Sequence, residues 1–417
     1  MSRPKRRFKS YRLQGDYEKP WLSDPKLKRT RRNTWVMIGF TVLGLAAAAV
    51  YCVFEVRSKL DMPLCLILDD DFRTLNTDVW SHEVQLDGFG TGSFDWTTTD
   101  PRNVYVDESG LHIVPTLTNE TTDITNDMIY NGYTLNLTKA GGDGSCTGTK
   151  ATSCAIRSNS TTGSMIPPVR SARLSTKGKK AIRYGRVEVV AKLPKGDWLW
   201  PAIWMMPEKS VYGEWPRSGE IDIMESRGND FTYPQGGRDV YSGALHWGPS
   251  PKSDSYWRTT GVASFKRKDF SQDFHVFGLE WSEKYLYFYV DTRLTQVLYV
   301  SFSADDVFWN RGKFEGKSDN LTLYDNPWKT SNSTTGSAPF DQEFFLILNV
   351  AVGSRNGWFL DDVGGKPWLD SATNAPWTFY SNADKWLPTW GAGDERGMTV
   401  KSVRMWQQGA CGSGSDL

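Results

Sequence analysis

From residue 34 to residue 54 the chain carries no charged side chain, and Trp35–Phe54 is twenty residues of nearly unbroken apolar character. As a helix at about 1.5 Å per residue this stretch spans roughly 30 Å, the thickness of a bilayer's hydrocarbon core. A cleaved signal peptide has a shorter apolar core nearer the N-terminus, so the pattern predicts a single transmembrane signal-anchor helix over 34–54. Beyond it helical periodicity gives way to period-two alternation. Leu66–Leu68, Asn103–Val106 and Leu111–Val114 read as short strands, the last two flanking a Glu108-Ser109-Gly110 turn. Gly185–Leu193, Tyr285–Asp291 and Thr399–Trp406 alternate over longer runs. Many short strands with turn signals between them predict an all-β sandwich of two antiparallel sheets.

In one place the alternation carries chemistry. Glu220-Ile221-Asp222-Ile223-Met224-Glu225 interleaves three carboxylates with large apolar residues. In a regular strand Glu220, Asp222 and Met224 share one face and Glu225 opposes them. A β-bulge at Ile223–Met224 brings Glu225 round to join the other two acids. Glutamates leaning together across four strand steps then approach to about 5–6 Å, the carboxyl spacing of a retaining glycosidase. The competing reading is a solvated acidic strand face.

The balance of 49 Lys+Arg against 48 Asp+Glu hides an asymmetry. Residues 1–33 hold twelve basic and three acidic side chains, while the chain beyond 54 holds 37 basic and 45 acidic. A basic block immediately before an apolar span argues for a cytosolic tail rather than nucleic-acid binding, and the positive-inside rule gives type II single-pass topology. The expected organisation is a disordered cytosolic tail (1–33), the anchor (34–54), a linker (55–64) and one folded domain (65–417), outside the cell or in the secretory lumen. Five glycosylation sequons, at Asn119, Asn136, Asn159, Asn320 and Asn332, all follow the anchor. Residues 117–168 are rich in Thr, Asn, Ser and Gly and read as a decorated surface insertion. Cys65, Cys146, Cys154 and Cys411 allow three pairings, and the sequence does not choose among them. The favoured set is Cys146–Cys154, closing a short loop, and Cys65–Cys411, tying the domain's ends together. Zinc fits these cysteines poorly, because the spacing is wrong and His ligands are missing.

Several blocks in one order carry a family resemblance. They are Trp198-Leu199-Trp200-Pro201-Ala202-Ile203-Trp204, Trp215-Pro216-Arg217-Ser218-Gly219 running into Glu220–Glu225, Leu245-His246-Trp247-Gly248, Phe274–Trp281 and Phe345–Gly353. Together, from about Leu66 to Trp406, they resemble glycoside hydrolase family 16, in its laminarinase-like endo-β-1,3-glucanase branch. The anchor, sequons and inserted cysteine pair give the sequence a fungal look. The resemblance implies a concanavalin A-like β-jelly roll with a substrate cleft across the concave sheet. By motif match Glu220 is the nucleophile and Glu225 the general acid/base. Asp222, on the same face, is placed to hydrogen-bond Glu220 and influence the shared proton. The family position of Asn103 makes it a substrate contact. A structural calcium occurs in the family, but nothing in this sequence indicates one, and no cofactor is expected.

Seventeen tryptophans lie beyond residue 54, and indole faces stack on the C–H faces of sugars. Trp200, Trp215 and Trp247 are the candidates for lining subsites; core packing is the alternative for each. Arg217 is placed to bond sugar hydroxyls or steady a carboxylate. His246 is read as lining the cleft or as a satisfied structural histidine. Nucleophile-elbow, His-Glu-x-x-His and P-loop motifs are absent, and Gly88–Gly92 lacks the strand-to-helix context of a phosphate loop. The function expected is retaining hydrolysis of β-1,3-glucan, or of mixed β-1,3/1,4-glucan, in cell-wall glucan metabolism. The alternatives are a transglycosylase, a role in assembling β-1,6-glucan walls, and a non-catalytic β-glucan-binding protein. Its partners are then β-glucan and the membrane, without nucleic acid.

Overall fold

The computed structural model describes residues 9–12, 14–60, 63–319, 322–329 and 336–411. The chain divides into two compact units, Met1–Met62 and Pro63–Leu417. In the first, α1 (Pro25–Leu60) contains the one described helix long and apolar enough to cross a membrane. It begins inside the stretch read as disordered tail and continues through most of the expected linker. The reason is local. Asp24 accepts the Lys26 N–H at 2.8 Å, Pro25 occupies the first helical position, and the Lys/Arg run that follows is made of good helix formers.

In the second unit two eight-stranded sheets pack face to face. Their strands, in chain order, are β1 (Leu64–Asp70), β2 (Ser81–His82), β3 (Val104–Asp107), β4 (Gly110–Ile113), β5 (Arg173–Ser175), β6 (Ala181–Ile182), β7 (Gly185–Lys192) and β8 (Leu199–Pro207). There follow β9 (Glu220–Ser226), β10 (Val240–His246), β11 (Thr260–Ser264), β12 (His275–Trp281), β13 (Tyr285–Val290), β14 (Gln296–Ser301), β15 (Phe344–Val352) and β16 (Met398–Gln408). One sheet runs β14-β13-β12-β7-β16-β4-β3, with β1 also paired to β16; the other runs β11-β10-β9-β8-β15-β5-β2, with β6 paired to β15. Every pairing within these sheets is antiparallel. This is the all-β, jelly-roll-like sandwich that the alternation predicts.

The alternation maps directly onto burial. In β7, Val187, Val189 and Ala191 are fully buried while Arg186, Glu188 and Val190 are partly exposed. Those inward residues join Phe277, Leu279, Val403 and Met405 of their own sheet and Ile203, Met205, Ile221, Leu245, Leu346 and Leu348 of the other in one core. Burial of each large side chain contributes about 1.5–3 kcal/mol, which holds the acid-bearing sheet against its partner.

Cys65 and Cys411 are bridged, as are Cys146 and Cys154, so the favoured pairing is the one found. The long-range bridge is possible because β1 lies alongside β16, with Cys65 opposite Gln407. The 117–168 insertion is less superficial than its composition suggests. Leu117, Ile124, Ile129, Leu135, Leu137, Met165 and Ile166 belong to the main core. Of its sequons, Asn159 is exposed and Asn119 and Asn136 are half-buried; Asn320 and Asn332 lie outside the described residues.

Candidate active site

β9 is an interior strand, between β8 and β10. On the β8 side Met224 pairs with Ile203 and Asp222 with Trp204, leaving Ile223 without a partner. On the β10 side Asp222 faces Ala244 and Glu225 faces Ser242, three steps against two. The bulge therefore sits at Ile223–Met224, as the sequence requires. Ile221, Ile223 and Met224 all enter the core, while Glu220 and Glu225 stay partly exposed on the opposite face. Gly243, between Ala244 and Ser242, makes room for it. A Cβ there would lie 2.6 Å from the Phe288 ring and 3.2 Å from the Asp222 carbonyl oxygen.

Each acid has a different partner. Glu220 Oε2 accepts the Trp215 indole N–H at 2.6 Å, and Glu225 Oε1 accepts that of Trp200 at 3.0 Å. Asp222 faces His246 as well as Glu220: its Oδ2 lies 3.2 Å from His246 Nε2, an ion-pair contact. The cause is register, because His246 of β10 stands directly opposite Glu220 and leans over the neighbouring Asp222. His246 Nδ1 in turn lies 2.5 Å from Asp254 Oδ2, and the Tyr256 ring stacks on the imidazole.

Burial, reinforced by the neighbouring Glu220, pushes the Glu225 carboxyl up to about 7, against the opposing pull of His246 and the Trp200 N–H. Burial likewise raises Asp222, with Glu220 and Glu225 adding to it. Burial alone would lower His246, but the Asp222 and Glu220 carboxylates outweigh it and hold the imidazole well above its ordinary value. Asp222 and His246 therefore each keep a proton to higher pH than the free groups, and Glu225 keeps its own up to about pH 7. An acid protonated near pH 7 beside a second glutamate is the arrangement general acid catalysis needs.

Donor atoms of Glu220, Asp222 and His246 lie within 4.8 Å of one another, as do those of Asp107, His112 and Asp394. Several of these side chains also meet protein partners. Trp215 and Asp254 engage the first set; in the second, His112 Nε2 meets Asp107 and Ser109 while Tyr105 bonds Asp394.

Trp200, Trp215 and His246 come together at the acids. One face of Trp200 is occupied, since Trp358 stacks on it at 5.0 Å and 13°, and the Arg227 guanidinium lies 3.9 Å from the centre of the Trp358 ring. Arg217 is exposed and pairs with no carboxylate among the described residues: its Nε donates to the Pro249 carbonyl at 2.7 Å, joining the loops before β9 and after β10.

Two sequence candidates do not reach the site. Trp247 follows His246 in an extended segment and so points to the opposite face. It is fully buried, packed against Phe308, Phe314 and Trp328, with its N–H donated to Thr259 Oγ1 at 2.7 Å. Asn103 is also fully buried, and its Nδ2 bonds Val114 O, Thr116 Oγ1 and Arg170 O, tying three chain segments together. Sequence reasoning missed Asp254, Tyr256, Trp358 and Arg227. Asp254 and Tyr256 sit in a Ser/Pro-rich turn without periodicity, and Trp358 arrives from 133 residues beyond Glu225, so no local signal marked them.

The model of glycosyl hydrolases family 16 matches residues 112–336. A β-1,3-glucan-binding protein of Penaeus monodon is 41% identical over 350 residues, 82% of this chain and 90% of its own length. A β-1,3-glucan-binding protein of Tenebrio molitor is 30% identical over 81% of this chain, which spans 66% of that protein. A glucan endo-1,3-β-glucosidase of Cryptopygus antarcticus is 38% identical over 53% of this chain and 66% of its own. Among solved structures, an endo-β-1,3-glucanase from Pyrococcus furiosus superimposes with a TM-score of 0.50 at 21% identity, covering 84% of this chain and 97% of its own. That likeness shows the fold alone. A fungal affiliation finds no support in these relatives. With the family model covering more than half of the sequence and the bulged acidic strand at its centre, the chain belongs to glycoside hydrolase family 16.

Proposed function

We propose that this protein is a retaining glycoside hydrolase that cleaves β-1,3-glucan, or mixed β-1,3/1,4-glucan, by double displacement. One observation carries the reading: two glutamates share a strand face, and burial with like-charge repulsion keeps Glu225 protonated up to about pH 7. Glu220 is the nucleophile that attacks the anomeric carbon, and its carboxylate is oriented by Trp215. Glu225 protonates the departing glycosidic oxygen and then, as base, activates the water that releases the sugar. Asp222 and His246 pair beside the nucleophile, the imidazole offsetting the charge of the carboxylates. Trp215, at 38% exposure, offers an accessible indole for stacking a sugar ring.

A second reading, non-catalytic glucan recognition, is favoured by the names of the Penaeus and Tenebrio relatives. The complete acid set favours catalysis, since recognition alone requires no proton donor tuned near neutrality. In the same proposal α1 is a signal anchor that leaves the basic tail in the cytosol, with Asn159 the most accessible described sequon.

Product analysis of the full-length protein on laminarin, lichenan and pustulan tests the activity, and NMR of the first-formed anomer tests retention. On an activated aryl glucoside with azide, Glu225→Ala should yield the β-glycosyl azide and Glu220→Ala the α-azide. Tight glucan binding with no turnover of any substrate would establish the recognition reading instead. Inverted wild-type products would sink double displacement.

A further inference from the structure

His246 touches a carboxylate through each ring nitrogen: Asp254 Oδ2 at 2.5 Å from Nδ1 and Asp222 Oδ2 at 3.2 Å from Nε2. A neutral imidazole has one N–H and one lone pair, so one of these contacts would set a lone pair against a carboxylate. Either an imidazolium faces both acids, or one of the two acids carries the proton and presents it to the ring nitrogen that lacks one. Asp254 biases that choice, because accepting the Nδ1–H raises the basicity of Nε2 and draws the shared proton onto the ring.

Asp254 is built into position. Its side chain is 10% exposed, and Oδ1 accepts the backbone N–H of Trp247 at 3.2 Å. Ser255 N–H donates to the Trp247 carbonyl at 2.9 Å, closing the turn. Gly248 lets that turn close, since a Cβ on it would lie 2.5 Å from the Ser253 carbonyl oxygen. Among the described residues, the charged or titratable groups in contact with or acting on His246 include Glu220, Asp222 and Glu225 from β9 and Asp254 and Tyr256 from the turn after β10; the Trp215 ring lies 5.8 Å away.

We propose that Asp254 is a positioning residue: it holds His246 as an imidazolium between two carboxylates and thereby sets the pH at which Glu225 gives up its proton. The catalytic consequence rests on the hydrolase reading above; the protonation of His246 does not. The imidazolium, together with the Arg227 guanidinium, limits the rise of Glu225, so its loss leaves Glu225 a weaker acid.

The protein contains four histidines, so the imidazole carbon signals can be assigned by comparison with His246→Asn and titrated by NMR in the full-length chain. In the wild type His246 should stay cationic well above pH 6.5. In Asp254→Asn, which keeps an oxygen to accept the Trp247 N–H, its midpoint should fall by about one pH unit or more, a tenfold loss of proton affinity. The alkaline limb of kcat/KM should move up by about half a unit with KM little changed, and Asp254→Glu should restore part of the wild-type profile. A wild-type His246 that titrates at or below its ordinary value overturns the proposal even if the variant does not fold. An unshifted midpoint in a folded Asp254→Asn overturns it too. The expected His246 titrations without any glucan turnover would refute the hydrolase reading and support the placement of the proton.

Discussion

Replacing Trp200 by Phe removes one hydrogen bond from Glu225 while keeping an aromatic ring at the position. The indole N–H donates to Glu225 Oε1 at 3.0 Å and favours the ionised carboxylate. A hydrogen bond to a charged acceptor contributes about 1.5–3 kcal/mol and one to a neutral acceptor about 0.5–1.5 kcal/mol. The difference, roughly 1–1.5 kcal/mol, corresponds to about one pKa unit, and partial replacement by water brings the expectation to roughly 0.5–1 unit. The direction is upward, because the charged form loses more. Since the free enzyme must keep Glu225 protonated to act as acid, the alkaline limb of kcat/KM should move from about 7 toward 8. At pH 8 the protonated fraction would rise from about one in eleven to about one in three for a shift of ~0.7 unit. The assay is kcat/KM on laminarin from pH 4 to 9, with thermal unfolding as a check, because the Trp358 stacking is also weakened. A limb that stays at its wild-type pH, or moves down, would refute this assignment of the acid and its donor.

Trp247→Ala should destabilise the domain by about 3–5 kcal/mol in chemical denaturation, because it empties a fully buried site. Trp215→Ala, at an exposed position, should leave the midpoint nearly unchanged and lower turnover instead. Reducing or removing the Cys65–Cys411 bridge, which spans 346 residues, should cost about 3–5 kcal/mol, read as a lowered denaturant midpoint. Burial raises the Asp95 carboxyl from 3.8 to about 6, so the folded state binds that proton more tightly than the unfolded chain. The resulting stabilisation is fully present below about pH 4 and lost as pH rises through 6, amounting to about 3 kcal/mol or less. Asp95→Asn, which keeps an oxygen to accept the Val352 N–H, should flatten the stability curve between pH 4 and 8. Parallel wild-type and variant curves over that window would show that Asp95 is not the group responsible.

What the sequence determined by itself is whatever rests on short-range pattern. Alternation in Gly185–Lys192 and Thr399–Trp406 was enough to place strands, since side chains on successive residues must take opposite faces. The bulge in β9 was legible for the same reason: three acids and three apolar residues in Glu220–Glu225 satisfy a half-buried strand only if one step is inserted. The uncharged run from Trp35 to Phe54 marked a helix, though its true start depended on the Asp24–Pro25 cap rather than on hydropathy. Tertiary structure decided which residues meet these acids. Trp247 and His246 are neighbours with equal claims on the cleft, and only the register of β10 against β9 sends one to Asp222 and the other into the core. Asn103 looked like a ligand and became a buried tie between segments 67 residues apart, because its amide met carbonyls that the sheet brought together. Asp254 and Trp358 reach the site through turns that follow β10 and β15, where nothing periodic constrains the side chain. Their places are set by closure of the sandwich, a sum of contacts between residues far apart in the chain.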